Sequence, residues 1–200
     1  MAQPYDTLTY LLDKSNIQDT LFKQVLYYDL NNGSGLKDEV YAPECIIDYT
    51  EMFGGEPLKM TNKEWAEEAI NTINLLDASQ HHISLSLALD ARGILTDSPK
   101  PSGAVIQLPQ PNSSSGTSKP STCTAIANGG AHMVRKAAEG GPMTHNGGRQ
   151  VYEMIRLRDL EERGENPWRI YKQKIVPIWT EGNPRVTDSM KGSHIIPGLT

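Results

Sequence analysis

Cysteine is scarce in this chain, which has only Cys45 and Cys123 among its 200 residues. Two thiols cannot form a framework of several disulfides or a four-thiolate metal site. No apolar run approaches the roughly 20 residues that a membrane span needs. The first residues also lack the basic stretch, followed by an apolar one, that is typical of a secretory signal. We therefore expect a single-domain cytoplasmic protein that does not bind a membrane.

Basic residues are also too few for a nucleic-acid-binding surface, because 19 Lys and Arg against 24 Asp and Glu leave a net charge of −5. The chain lacks a phosphate-binding glycine loop and a G-x-S-x-G elbow, which disfavours phosphate transfer, dinucleotide chemistry and serine hydrolysis. His132 and His145 have no cysteine or carboxylate at ligand spacing. We therefore predict no metal, no cofactor and no nucleic-acid partner.

The first half of the chain has helical patterns. Ser15-x-x-Gln18 and Thr61-x-x-Glu64 are capping boxes. Apolar residues follow each box at helical spacing: Ile17, Leu21, Val25 and Tyr28 after the first, and Trp65, Ala69, Ile73 and Leu76 after the second. Residues 45–50 read as a strand with Cys45, Ile47 and Tyr49 on one face.

The second half has strand patterns at residues 80–90, 122–135, 149–159 and 168–179. In the first of these, His81, Ile83, Leu85, Leu87 and Leu89 alternate with polar or small residues. Val151, Glu153, Ile155 and Leu157 share one face of the third. Helices followed by an antiparallel meander indicate an α+β fold rather than a doubly wound sheet.

Residues 97–124 form a Pro- and Ser-rich insertion in this single domain, and residues 181–200 read as an irregular tail. Within the insertion, only the apolar residues 104–108 are suited to docking on the rest of the protein. Two interpretations stay open, a tolerated surface insertion and a lid over a pocket.

Several polar residues lie on faces that should be buried, which makes them candidates for a site. His81 shares its face with aliphatic residues, so it either lines a cavity or is a core histidine with a satisfied hydrogen bond. Glu153 lies between Val151 and Ile155, unless a shift in register turns it outward. Tyr28, Asp29 and Tyr49 complete the set, and Asp29 ends a helix where the macrodipole disfavours a carboxylate.

Three segments resemble SnoaL-like proteins, whose cone-shaped α+β fold is shared by nuclear transport factor, ketosteroid isomerase and scytalone dehydratase. They are YYDLNNGSGLKDEVYAPECIIDYTEMFGG at 27–55, LLDASQHHISLSLAL at 75–89 and WRIYKQKIVPIWTEGN at 168–183. The resemblance implies a curved antiparallel sheet wrapped around N-terminal helices, and a homodimer formed through the outer face of the sheet.

Within that superfamily the site residues resemble those of scytalone dehydratase. The matching motifs are Tyr28-Asp29, Ile47-Asp48-Tyr49, Gln80-His81 and, after the insertion, His132. The resemblance implies that His81 is the acid and base, that Asp29 orients it, and that His132 is a second proton donor. Tyr28 and Tyr49 would hold a substrate carbonyl through water. The Ser-x-Asn motif of the dehydratase has no counterpart, since that region reads Val151-Tyr152-Glu153.

The implied function is that of a cofactor-free enzyme of secondary metabolism, a dehydratase, isomerase or cyclase. Its substrate would be a hydrophobic, polyketide- or terpenoid-like small molecule. Two alternatives stay open. One is a non-catalytic cone that binds a small molecule or a protein. The other is an isomerase in which Glu153 is the base.

Overall fold

A computed structural model describes residues 5–83, 104–111 and 118–190. The helices are α1 (Thr7–Asp29), α2 (Gly33–Gly35), α3 (Thr50–Phe53), α4 (Asn62–Ile73) and α5 (Arg158–Glu162), with a π-helix at Leu36–Val40 and a 3-10 helix at Pro184–Met190. The strands are β1 (Tyr41–Asp48), β2 (Leu58–Thr61), β3 (Ala78–Ile83), β4 (Ala104–Gln107), β5 (Thr122–Val134), β6 (Met143–Arg156) and β7 (Trp168–Gly182). Within these ranges no helix is long and apolar enough to cross a bilayer.

The strands form one curved sheet in the order β2-β1-β7-β6-β5-β3, and β4 also pairs with β5. The sheet is mixed rather than wholly antiparallel, because β1 runs parallel to β7 while the other pairs are antiparallel. A parallel pair needs a long connection, and the whole chain between β1 and β7 supplies it. Register shifts in the β6–β7 ladder, at Gly147/Gly148 and at Glu153/Met154, help the sheet to curve around α1 and α4.

β3 and β4 pair with the same strand, one beyond the other. Ile83 at the end of β3 is opposite Gly129, and Ala104 at the start of β4 is opposite Ala127. Together they form one edge of the sheet. The predicted inward positions Leu85, Leu87 and Leu89 lie outside the described residues.

Helix α1 begins at a different cap from the predicted one. Asp6 is its N-cap and accepts a hydrogen bond from the Thr9 amide at 2.7 Å, so Ser15 lies inside the helix. The prediction that the helix begins at Ser15 was wrong. The two helical turns before Ser15 have outward-facing leucines, so the sequence shows no buried apolar stripe there. The capping box of α4, between Thr61 and Glu64, is confirmed.

The inward face of β6 is opposite to the predicted one. Tyr152 and Met154 are fully buried, whereas Glu153 is exposed and its Oε1 lies 3.4 Å from Nζ of Lys172 on β7. The predicted inward face was therefore wrong. Glu153 points outward, where its carboxylate pairs with a lysine on the neighbouring strand instead of being buried. Val151 and Ile155 are only half-buried.

The insertion contributes to the core through its apolar segment. β4 pairs with β5, and Leu108 packs into the main core cluster. Beyond it, Lys119 forms an ion pair with Glu161 at 2.8 Å. Residues 112–117 lie outside the described residues. The prediction of an irregular tail is wrong for its described part, since β7 reaches Gly182 and Val186 of the 3-10 helix is buried. Residues 191–200 lie outside the described residues.

Candidate active site

A cavity of about 280 Å³ lies between the concave face of the sheet and helices α1 and α4. Most of its wall is apolar. Its polar lining comes from tyrosine, histidine, threonine and amide side chains, among them Tyr28, Tyr49, Thr72, His81, Asn146 and Gln150. An apolar cavity with a few converging polar groups is the usual form of a small-molecule site.

Asp29 and His81 form a hydrogen-bonded pair at the wall of this cavity. Oδ1 of Asp29 lies 2.7 Å from Nδ1 of His81, and the carboxylate also accepts the backbone N–H of His81 at 2.9 and 3.0 Å. Because an ionised carboxylate only accepts hydrogen bonds, it favours the tautomer with the proton on Nδ1. Nε2 of His81 is then the unprotonated nitrogen, available to take a proton.

Local structure explains how these two residues meet. Asp29 is the last residue of α1, where the helix dipole disfavours it, and the two N–H donors of His81 offset that cost. Alternation along β3 turns His81 toward the cavity, and Ile83 packs against the core in the same direction. His82 therefore points to the outer face of the sheet, as predicted.

A buried hydrogen-bond network lies beneath the cavity. The hydroxyl of Tyr28 is 2.6 Å from that of Tyr41, which donates to Oε1 of Gln173 at 2.6 Å. Nε2 of Gln24 donates to both Tyr41 and Gln173, at 2.6 and 2.5 Å, and its Oε1 accepts from Tyr152 at 2.8 Å. The network fixes Tyr28 in place, and the ring of Tyr28 lies 5.3 Å from the imidazole of His81.

The tyrosines at the cavity are neutral hydrogen-bond donors. Burial is the main cause that raises the pKa of Tyr28, Tyr41, Tyr49 and Tyr152 well above the usual value for a phenol. Thr72 adds a buried hydroxyl on the same wall, and its Oγ1 has no hydrogen-bond partner in the described part of the protein. Buried hydroxyls are normally paired, which makes Thr72 an exception in this wall.

Three solved structures share this architecture over nearly their whole length. A protein from Novosphingobium aromaticivorans, assigned as a scytalone dehydratase, has a TM-score of 0.59 at 12% identity, covering 89% of this chain and 92% of its own. The nuclear transport factor 2-like superfamily protein from Salmonella enterica has a TM-score of 0.56 at 12% identity, covering 88% and 97%. Hexachlorocyclohexane dehydrochlorinase LinA-type3 from Novosphingobium barchaimii has a TM-score of 0.59 at 11% identity, covering 90% of this chain and 95% of its own.

The fold is the nuclear transport factor 2-like cone. It agrees with the predicted SnoaL-like α+β cone. No family model and no curated protein matches the sequence.

The cone brings four of the six predicted site residues together. Tyr28, Tyr49 and His81 line the cavity, and Asp29 is bonded to His81. Glu153 lies on the outer face of the sheet, as described above, and does not reach the cavity.

His132 does not reach the cavity either. Its neighbours Ala131 and Met133 line the cavity, so alternation along β5 turns His132 outward. There its Nδ1 lies 2.8 Å from Nδ1 of His145, and its ring stacks on that of His82 at 5.4 Å. The position opposite His81 on β5 is Ala131, which has no proton to donate.

The amide side chains of the site were not predicted from the sequence. Gln24 lies one helical turn before Tyr28 and interrupts the apolar stripe of α1, which was a usable signal. Gln150 alternates with Tyr152 on β6 and lines the cavity. Within the described ranges no group of three or more histidine, cysteine or carboxylate side chains is arranged to hold a metal ion.

Proposed function

We propose that this protein is a cofactor-free acid–base enzyme, a lyase or isomerase, that acts on a small hydrophobic molecule containing a carbonyl group. The observation that carries the proposal is the 2.7 Å contact between Asp29 and His81 beside an apolar cavity. General acid–base catalysis by such a residue contributes roughly 10²–10⁴-fold to a rate.

In the proposed reaction, Nε2 of His81 takes a proton from a carbon next to the substrate carbonyl. The electron pair of the broken C–H bond moves into a new carbon–carbon double bond, and the carbonyl oxygen becomes an enolate. Tyr49 donates a hydrogen bond to that oxygen, because its hydroxyl stays protonated. Tyr28 donates its own proton to Tyr41 and lines the cavity with its ring. Asp29 stabilises the imidazolium that forms and keeps its ring oriented.

The second half of the reaction also belongs to His81. Among the described side chains that line the cavity, only that of His81 carries an imidazole, and none carries a carboxyl, an amine or a thiol. The same imidazolium therefore returns its proton, to a leaving hydroxyl in a dehydration or to another carbon in an isomerisation or cyclisation. A dehydration would then remove the proton and the hydroxyl from one face of the substrate.

The solved structures with this fold include a protein assigned as a scytalone dehydratase and a dehydrochlorinase. Both names describe eliminations, which supports a lyase over other acid–base enzymes. A polyketide- or terpenoid-like substrate from secondary metabolism fits the apolar wall. We also propose that the protein is a homodimer.

Hydrogen–deuterium exchange tests the proposal without knowledge of the natural substrate. A panel of bicyclic aromatic and terpenoid ketones would be incubated with the protein in D₂O, and loss of the α-proton signals followed by NMR. We expect at least one ketone to exchange faster with the wild type than with His81→Ala. Equal exchange with both proteins for every ketone that binds would overturn the proposal.

The non-catalytic alternative predicts a different outcome in the same experiment. A binding protein would hold ketones from the panel, detected by line broadening, and exchange none of them. The open cavity and the bonded dyad favour the enzyme, because a binder has no need of an oriented imidazole.

A further inference from the structure

Helix α1 has an apolar stripe that faces away from the core. Its members are between 44% and 76% exposed: Leu8, Leu11, Leu12, Phe22, Leu26 and Leu30. The inner face of the same helix buries the apolar residues Ile17, Leu21 and Tyr28 together with the polar residues Asp13, Thr20 and Gln24. Helix α1 is therefore apolar on two faces, whereas an ordinary surface helix has one apolar stripe, which faces the core.

The stripe is large enough for a specific interface. A fully exposed large apolar side chain presents roughly 150–200 Å², so the six residues expose about 600 Å² per copy. Exposed apolar patches of this size mark interaction sites. Complete burial of both stripes would remove about 1,200 Å² from water, which is the lower limit for stable protein–protein interfaces.

We propose that the occupant of this stripe is α1 of a second copy of this chain, packed antiparallel to form a twofold dimer. The stripe is self-complementary in that orientation. Leu8 of one copy lies opposite Leu26 of the other, and Leu12 lies opposite Phe22. Asp19 lies near the centre of the stripe. It faces Ser15 of the second copy and not the second copy's Asp19, so the two carboxylates do not meet.

The surface beside the stripe fits the same arrangement. A groove of about 390 Å³ runs along Phe22 and Leu26 and ends at Asp29 and His81. In the antiparallel dimer, Leu8 and Leu12 of the second copy enter this groove. A membrane is disfavoured as the occupant, because the chain carries a net charge of −5 and an aspartate in the middle of the stripe.

This arrangement differs from the dimer implied by the family resemblance, which uses the outer face of the sheet. That face carries the imidazoles of His82, His132 and His145 and the ion pair of Glu153 with Lys172. Packing a second copy there would remove water from these polar groups. Burying the stripe on α1 would cost less desolvation free energy, because its side chains are mostly apolar.

Sedimentation equilibrium at micromolar concentration tests the proposal on the whole chain. We expect a dimer for the wild type, and a dissociation constant raised at least roughly 30-fold in Leu12→Glu and Leu26→Glu. Val105→Glu is the matched control, because Val105 is exposed on β4, at the sheet. Leu8→Glu, in the first turn of α1, replaces either variant that fails to fold.

Cysteine cross-linking then tests the orientation. Leu12→Cys and Phe22→Cys proteins should form a disulfide dimer when mixed, and neither should do so alone, because Cys45 and Cys123 are buried. A monomeric wild type would overturn the proposal, as would a dimer that only Val105→Glu disrupts. These measurements do not depend on activity, so their failure is distinguishable from failure of the proposed acid–base catalysis.

Discussion

The carboxylate of Asp29 binds both the ring and the backbone amide of His81. Oδ1 accepts Nδ1–H at 2.7 Å, and the two oxygens accept the amide N–H at 2.9 and 3.0 Å. One side chain at the end of α1 therefore fixes both the position of β3 and the tautomer of its histidine. The imidazole is oriented before any substrate enters.

Removal of either member of this pair should lower turnover severely. We expect Asp29→Asn and His81→Ala each to reduce kcat by roughly 10²–10⁴-fold on any substrate found by the exchange experiment. The double variant should lose little more than the worse single variant, because the two residues act as one unit. Asp29→Asn should keep the fold, since asparagine retains an oxygen that accepts the His81 amide.

Melting temperature and turnover would be measured on the same preparations. His132→Ala is the control, since it removes a histidine that lies on the outer face of the sheet. Additive losses in the double variant, or activity that falls only as far as the protein unfolds, would contradict the dyad.

Tyr41→Phe should destabilise the protein by about 1–3 kcal/mol, because it removes the hydroxyl to which the buried Tyr28 hydroxyl and one N–H of Gln24 are bonded. The hydroxyl of Tyr41 lies within 2.6 Å of Gln24, Tyr28 and Gln173, and the residue is 1% exposed. Tyr171→Phe is the matched control, because Tyr171 is 37% exposed, and we expect a change within about 0.5 kcal/mol. Urea unfolding at pH 7 measures both, and equal effects would show that the network adds no stability.

Leu108→Ala should cost about 2–4 kcal/mol, because Leu108 is 8% exposed and packs in the main core cluster. Val105→Ala, three residues earlier and 66% exposed, should change the free energy of unfolding by less than about 0.5 kcal/mol. Chemical denaturation distinguishes the two. A Leu108→Ala protein as stable as the wild type would mean that the insertion lies on the surface without supporting the core.

Mild acid should destabilise the protein partly through His82. Desolvation, followed by the charges of His132 and His81, lowers the pKa of His82 below its usual 6.5, and Asp29 only partly opposes this. The unfolded chain therefore takes up this proton first, and stability falls as pH drops from about 6.5 toward the lowered value.

The melting temperature between pH 5 and 8 tests this prediction. His82→Gln should lose less stability on acidification than the wild type, and the two curves should run parallel above pH 7.5. Identical slopes across the whole range would show that His82 titrates as it does in the unfolded chain.

Local patterns in the sequence predicted much of the fold. The alternation around His81 and Ile83 predicted the inward face of β3, and Thr61 with Glu64 predicted the start of α4. Each rests on neighbours a few residues apart. Asp29 was detectable because a carboxylate at a helix C-terminus needs compensation.

The reversed face of Glu153 has a physical cause, since a displacement of one residue along a strand reverses the face. His132 was assigned from the family resemblance alone, across the insertion. The partners that decide the face, His145 and Lys172, lie on neighbouring strands that a single sequence does not align. The same holds for Gln24, whose partner Gln173 is 149 residues away.

The end-to-end pairing of β3 and β4 has a consequence for engineering. Ile83 and Ala104 are opposite Gly129 and Ala127, two positions apart on β5, which is roughly 7 Å along a strand. The end of β3 and the start of β4 thus lie at nearly the same place on the sheet. New chain termini between residues 83 and 104, as in a circular permutant, would leave both ladders and the dyad intact.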